Sequence, residues 1–126
     1  MKSKKEFSDD ILQALHNSKG LRIRAGIGNH RFIGIWVVVA RSPAFDRSWS
    51  VKPDGWYRTF LKEPRGAIQV AGQEIAVRAR RIIDQQIRNA VDRAYLKKYS
   101  TPASLKYARD LGSPKSRATT IELVPL

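Results

Sequence analysis

Phe32-Ile33-Gly34-Ile35-Trp36-Val37-Val38-Val39-Ala40 is the stretch on which the fold turns. At the two-residue period of a strand, Ile33, Ile35, Val37 and Val39 fall on one face and Trp36, Val38 and Ala40 on the other. Both faces are apolar, so the stretch predicts a central strand covered on both sides. On its N-terminal side, Leu21 and Ile23 alternate with Arg22 and Arg24, the pattern of a half-buried strand, and Gly26, Gly28 and Asn29 supply the turn between the two. Before that, Ser8 followed by Asp9 and Asp10 marks a helix start, because serine caps free N–H groups and the acids favour the positive end of the helix dipole. That helix runs over about 9–17 and stops before Gly20.

On the C-terminal side, Arg41-Ser42-Pro43 predicts a turn, followed by a strand carrying Arg47. Asp54 is placed to cap a short helix in which Trp56 meets Phe60 and Tyr57 meets Leu61, with Pro64 ending it. Ile68 and Val70 alternate with Gln69, Ala71-Gly72 makes a tight turn, and Ile75, Val77 and Ala79 alternate with Glu74, Ala76, Arg78 and Arg80. This predicts a hairpin with one face inward and a basic face outward. From Asp84 to about Tyr99 the period becomes helical, with Ile87, Ala90, Val91, Ala94 and Tyr95 on one stripe. Ser100-Thr101-Pro102 starts a second helix and Gly112 ends it. Thr119 to Val124 closes the chain as a strand with Ile121 and Leu123 inward. The expected class is mainly β with helices (α+β): about six mostly antiparallel strands in a small barrel or strongly curled sheet, with peripheral helices. Residues 1–126 are expected to form one domain, with an N-terminal helical segment over 1–20 and a helical pair over 84–112.

At 126 residues, 42% of them hydrophobic, the chain has material for a core. No apolar run reaches the roughly 20 residues of a membrane helix, and the N-terminus lacks an apolar leader segment. With no cysteine, the expectation is a soluble cytoplasmic protein without membrane attachment. Neither His16 nor His30 has neighbours for a metal centre or a hydrolytic triad, and both read as surface residues. A net charge of +13 favours anionic partners. The cations are dispersed, and the outward row of Arg78, Arg80 and Arg81 has no aromatic interleaved, so single-stranded nucleic acid is the weaker reading of that charge.

The richest segment for chemistry is Phe45 to Arg58, with two Trp, a Tyr, a Phe, two Arg and a Lys. At strand period, Arg47 shares a face with Phe45, Trp49 and Val51. A guanidinium set among large apolar side chains needs an anion, because an unpaired buried charge is costly. That anion is either an Asp or Glu of the same chain or the phosphate of a ligand, and the residues alone leave the two open.

Ile35 to Val39, Phe45-Asp46-Arg47-Ser48, Trp56-Tyr57-Arg58, Ala94-Tyr95, Lys98-Tyr99 and Ala118-Thr119-Thr120 together resemble the uncharacterised bacterial family known as domain of unknown function 2255. The resemblance runs over nearly the whole chain after about Leu21. Gly55 to Gly72 is also similar to the Trp-Tyr, helix, Pro, strand, Gly run of the deazaflavin-dependent nitroreductases, part of the split-barrel group that includes pyridoxamine phosphate oxidase. The resemblance implies a split β-barrel, usually a homodimer, binding FMN or a deazaflavin in a groove beside the barrel. It implies that Arg47 and Ser48 contact the phosphate, that Trp56 with Tyr57 beside it lines the ring or the pocket wall, and that Lys52 and Arg58 add charge. The activity implied is hydride transfer by the cofactor, with no catalytic acid or base required of the chain. The alternatives are a non-catalytic split barrel that binds a small anionic ligand or a protein partner, its aromatics serving as packing, and the nucleic-acid reading above.

Overall fold

A computed structural model describes residues 6–28, 31–49 and 55–126 of the protein. Among them lie strands β1 (Leu21–Ala25), β2 (Ile33–Ile35), β3 (Val38–Val39), β4 (Ala44–Asp46), β5 (Arg65–Val70), β6 (Gln73–Arg81) and β7 (Ile121–Pro125). The helices are α1 (Asp9–Asn17), α2 (Trp56–Lys62), α3 (Gln85–Lys98), α4 (Pro102–Asp110) and α5 (Pro114–Arg117). The strands form one curled sheet in the order β2-β1-β5-β6-β7-β4-β3, every pairing antiparallel. The class is α+β and the architecture a split barrel.

The apolar stretch from Phe32 to Ala40 departs from expectation. It is not one central strand. β2 pairs with β1, placing Ile33 opposite Ile23, while β3 pairs with β4, placing Val38 opposite Phe45. β2 and β3 therefore sit at the two ends of the sheet, and Trp36-Val37 carries the chain from one edge to the other. Of this stretch only Val37 and Val38 are fully covered, with the second cover coming from helices rather than from further strands, whereas Ile33 and Ile35 of β2 are partly buried and Gly34 is exposed. At this seam the backbone leaves the ladder, and α3 meets its polar groups. The Val37 N–H donates to the Tyr99 hydroxyl at 3.2 Å, Lys98 Nζ donates to the Val37 carbonyl at 2.7 Å, and the Tyr95 hydroxyl donates to the Trp36 carbonyl at 3.4 Å. Buried backbone groups require such partners.

Two cores flank the seam. Inside the barrel, Ile23, Ile68, Val77, Ile121 and Leu123 pack with Val37 and Ala44, and α1 joins them with Ile11 and Leu15. On the helical side, Val38 and Phe45 meet Val91 and Tyr95 of α3, Tyr99 at its C-cap, Ala108 of α4 and Leu111 at the α4 C-cap. β4 thus lies between two cores, and every residue from Ala44 to Ser48 is buried.

Local chemistry fixes the ends of the elements. Ser8, Asp84 and Thr101 each cap a helix by accepting a hydrogen bond from the backbone N–H three residues on. α2 differs from expectation: Gly55 occupies its cap position without a side-chain bond, and Asp54 lies outside the described residues. The strand carrying Arg47 is also shorter than expected, because β4 ends at Asp46. The β5–β6 turn has positive φ at both Ala71 (52°) and Gly72 (74°), the twist that a two-residue hairpin turn needs. The outward basic face of this hairpin is partly neutralised, with Arg80 paired to Glu122 and Arg65 to Glu63. No helix among the described residues is long and apolar enough to cross a membrane.

Gly66 records how closely α2 presses on the sheet. A Cβ there would stand 2.4 Å from the Arg24 carbonyl oxygen and 2.9 Å from Phe60 Cε1. Backbone cannot yield as a flexible side chain can, so Gly66→Ala is expected to lower the unfolding free energy by about 1–3 kcal/mol. A urea melt with an unchanged midpoint would show that α2 does not pack as described.

Candidate functional site

A cleft of about 480 Å³ opens beside the seam, within the ~300–1,000 Å³ usual for small-molecule sites. Three parts of the chain build it. The β2-to-seam stretch brings Ile33, Ile35 and Trp36, the segment after β4 brings Arg47, Ser48 and Trp49, and Gly55-Trp56 opens α2, while Tyr107 and Leu111 close it from the helical side. The chain contains three tryptophans, and all three line this cleft.

The rings are held in place. Trp36 stacks on the buried Tyr99, with centroids 3.9 Å apart and planes within 3°, and meets the Tyr107 edge at 6.5 Å. Trp49, 59% exposed, meets Tyr107 at 6.1 Å. Trp56 packs edge-on against Phe60 at 6.1 Å, its expected i, i+4 neighbour. Such edge and stacked contacts fix ring orientation, so the cleft offers preset aromatic surfaces.

Arg47 lies under this wall with its side chain 0% exposed. Its Nη1 donates to Asp92 Oδ1 at 2.5 Å and to the Leu111 carbonyl at 2.9 Å, its Nη2 to the Arg88 carbonyl at 2.9 Å, and its Nε to Thr120 Oγ1 at 2.8 Å. Four of the five N–H groups of a guanidinium are therefore engaged inside the protein. Burial pulls the Arg47 pKa down and the hydrogen bond with Asp92 pushes it back up. The anion that the sequence left open is a carboxylate of α3. Asp92 also accepts from Arg117, which reaches Asn89 Oδ1 at 3.1 Å and Gln85 Oε1 at 2.6 Å. Where the β4–β7 ladder ends, side chains continue it: the Ser48 N–H donates to Thr119 Oγ1 at 2.8 Å.

The residues expected at a cofactor site thus separate. Arg47, Ser48 and Trp56 reach one cleft. The donors of Arg47 are committed to protein acceptors, so the side chain supports the wall and has no fork left for a phosphate. Tyr57 turns into the barrel core, its hydroxyl donating to the Ala118 carbonyl at 3.4 Å, because it sits one residue round the helix from Trp56. Arg58 is exposed and is not among the residues that line the cleft, and Lys52 lies outside the described residues. Sequence reasoning treated Trp36 as packing and passed over Tyr107 and Asp92. The signal for Asp92 was available: Arg88, Asp92 and Tyr95 fall at i, i+4 and i+7, one face of α3. Nothing in the local sequence marks Tyr107, whose ring partners Trp49 and Trp36 lie 58 and 71 residues away, between and after the strands.

Residues 12–123 match the family described as uncharacterized proteins conserved in bacteria, DUF2255. The chain belongs to that family. No curated protein sequence matches it. Among solved structures, the conserved hypothetical protein Rv2991 of Mycobacterium tuberculosis superposes with a TM-score of 0.61 at 10% identity, over 100% of this chain and 84% of that one. A putative pyridoxamine 5′-phosphate oxidase of Listeria innocua gives 0.60 at 12% identity, over 94% and 90% of the two chains. An FAD-binding protein of Mesorhizobium loti gives 0.51 at 15%, over 95% and 89%. At these identities the likeness is one of fold. This DUF2255 chain shares the split-barrel fold of these proteins.

Proposed function

We propose that the tryptophan cleft of this DUF2255 protein receives the ring system of FMN or a deazaflavin and that the protein is an oxidoreductase built on that cofactor. The observation that carries this reading is the convergence of Trp36, Trp49 and Trp56 on one cleft of about 480 Å³. Such a ring, when bound, supplies hydride-transfer chemistry. The chain's part is to hold it flat against fixed aromatic faces and to exclude water with Ile33, Ile35 and Leu111. Two of the split-barrel neighbours are described as a putative pyridoxamine 5′-phosphate oxidase and an FAD-binding protein, which favours a flavin-type ligand. The homodimer implied by the resemblance belongs to the same proposal, with the exposed Trp49 at the mouth of the cleft available to a second copy.

The fit is to the ring and not to the phosphate. Trp36, Trp49, Trp56 and Tyr107 suit a planar aromatic, whereas Arg47 is bound to Asp92. That observation favours a second reading, a non-catalytic split barrel that holds a flat aromatic ligand. Titration with FMN, riboflavin and a 5-deazaflavin, read by tryptophan emission, tests both. Quenching is expected with at least one of them, and Trp36→Ala is expected to weaken that binding by more than about tenfold, the scale of one stacked ring. Riboflavin and FMN are expected to differ by less than about tenfold, since a phosphate held by charged hydrogen bonds adds about 1.5–3 kcal/mol. No quenching by any of the three would overturn the cofactor reading. Quenching without turnover of a reduced nicotinamide or a nitroaromatic substrate would select the non-catalytic one.

A further inference from the structure

A second cavity, of about 300 Å³, lies between α1, β3 and α3 and is lined by His16, Val38, Val39, Ala94, Lys97 and Lys98. Lys98 differs from an ordinary surface lysine. It is half-buried, and its Nζ donates to two backbone carbonyls, Leu15 at 2.8 Å and Val37 at 2.7 Å. Neither is a carboxylate. A neutral amine has two N–H donors, so the two carbonyls satisfy it completely, whereas an ammonium has a third proton to place. Lys98 is also one of the residues that line the cavity.

The surroundings act in the same direction. Burial lowers the Lys98 pKa to about 8, against the pull of Asp46, the charged group that raises it. Asp46 on β4 is itself buried, with both carboxylate oxygens lacking a hydrogen-bond partner among the described residues, and burial raises its own pKa well above the ordinary carboxylate value. Among the described residues, the other titratable groups lining the cavity or touching Lys98 are His16 at the end of α1, Lys97 beside it, and Tyr99, whose ring lies 5.3 Å from Nζ and whose pKa burial raises to about 12. A lysine in an apolar pocket with a lowered pKa is the usual form of a nucleophilic amine.

We propose that Lys98 is an amine nucleophile that condenses with a small anionic aldehyde entering this cavity. The Nζ lone pair bonds to the carbonyl carbon, and the carbonyl oxygen leaves as water with the two amine hydrogens, giving an imine. Lys97 supplies the charge that draws the anionic end. In the product a protonated imine keeps one N–H for Leu15, and the single proton of the Tyr99 hydroxyl, 3.0 Å from the Lys19 oxygen and 3.2 Å from the Val37 oxygen, is shared between those two carbonyls. This site is separate from the tryptophan cleft and stands or falls independently of the ligand bound there.

The test uses pyridoxal 5′-phosphate as the aldehyde, borohydride to fix the imine, and peptide mapping of the intact chain across pH 6.5–10. Lys98 is expected to carry the first label, at a rate more than about tenfold above Lys97, with a half-maximal rate near pH 8 instead of the roughly 10.4 of an exposed lysine. Lys98→Arg, which keeps donors for both carbonyls, is expected to abolish that label, while Lys97→Arg keeps it. Pyridoxal, without the phosphate, is expected to label Lys98 more slowly, by up to about fivefold, the scale of one lost exposed charge contact. Label spread over exposed lysines, or a Lys98 midpoint near 10, would overturn the proposal. Equal rates for the two aldehydes would overturn its anionic part. The pH profile is read on the unsubstituted protein, so the test survives if the variants do not fold.

Discussion

Asp92→Ala is expected to lower the unfolding free energy by about 3–5 kcal/mol, the cost of stripping a buried charge of its partner. Asp92 faces two guanidiniums, and one of them, Arg47, has a side chain 0% exposed. Without the carboxylate, Arg47 keeps only neutral acceptors on Thr120, Leu111 and Arg88. Arg117 is 20% exposed on its side chain and can recover water, so most of the loss falls on Arg47. The same substitution should loosen the cleft, because Arg47 links the segment after β4 to α3. Urea melts followed by circular dichroism give the stability, and tryptophan emission gives the state of the cleft. A loss below about 1 kcal/mol would mean that Arg47 finds another anion, and a ligand phosphate would again be its natural partner.

Asp46→Asn gives the second large effect, and it depends on pH. Burial raises the Asp46 carboxyl well above its ordinary range, with Lys98 opposing. In the unfolded chain the group ionises near ~3.9, so above that pH the folded state holds a proton that the unfolded state has lost. Stability associated with this group is therefore complete below the unfolded pKa and is lost as pH rises toward the folded pKa, by up to about 1.4 kcal/mol per unit. Asparagine cannot ionise and escapes this loss. The variant is expected to gain on the parent as pH rises from ~4 toward the raised folded pKa. Paired urea melts at successive pH values measure the difference, and a constant difference would mean that Asp46 ionises normally in the fold.

Much of the architecture was legible in the sequence because burial has a local period. Alternation through Ile68–Val70 and Ile75–Ala79 became β5 and β6, and the α3 stripe from Ile87 to Tyr95 packs as its spacing requires. Caps at Ser8, Asp84 and Thr101 depend on a bond three residues along the chain, so they too could be read directly. The Phe32 to Ala40 stretch could not be placed in the same way. Its two apolar faces say that both sides are covered and do not say by what, and the sheet order put its halves at opposite edges.

The sequence by itself determined the class of fold, the helix caps and the β5–β6 hairpin with its turn, the last two written in residues within a few positions of one another, and the family through motifs spread along the chain, while the split of Phe32–Ala40 into β2 and β3 and the short helix α5 were not read. Only the tertiary structure decided which anion meets Arg47, that Trp36, Trp49 and Trp56 share one cleft, that Tyr57 faces the core, and that Lys98 sits at a cavity with two carbonyls as its partners. The Arg47–Asp92 contact spans 45 residues and the Lys98–Leu15 contact 83. Periodicity tells a side chain whether it faces inward, while its partner across that distance is chosen by how the sheet curls and where α3 docks.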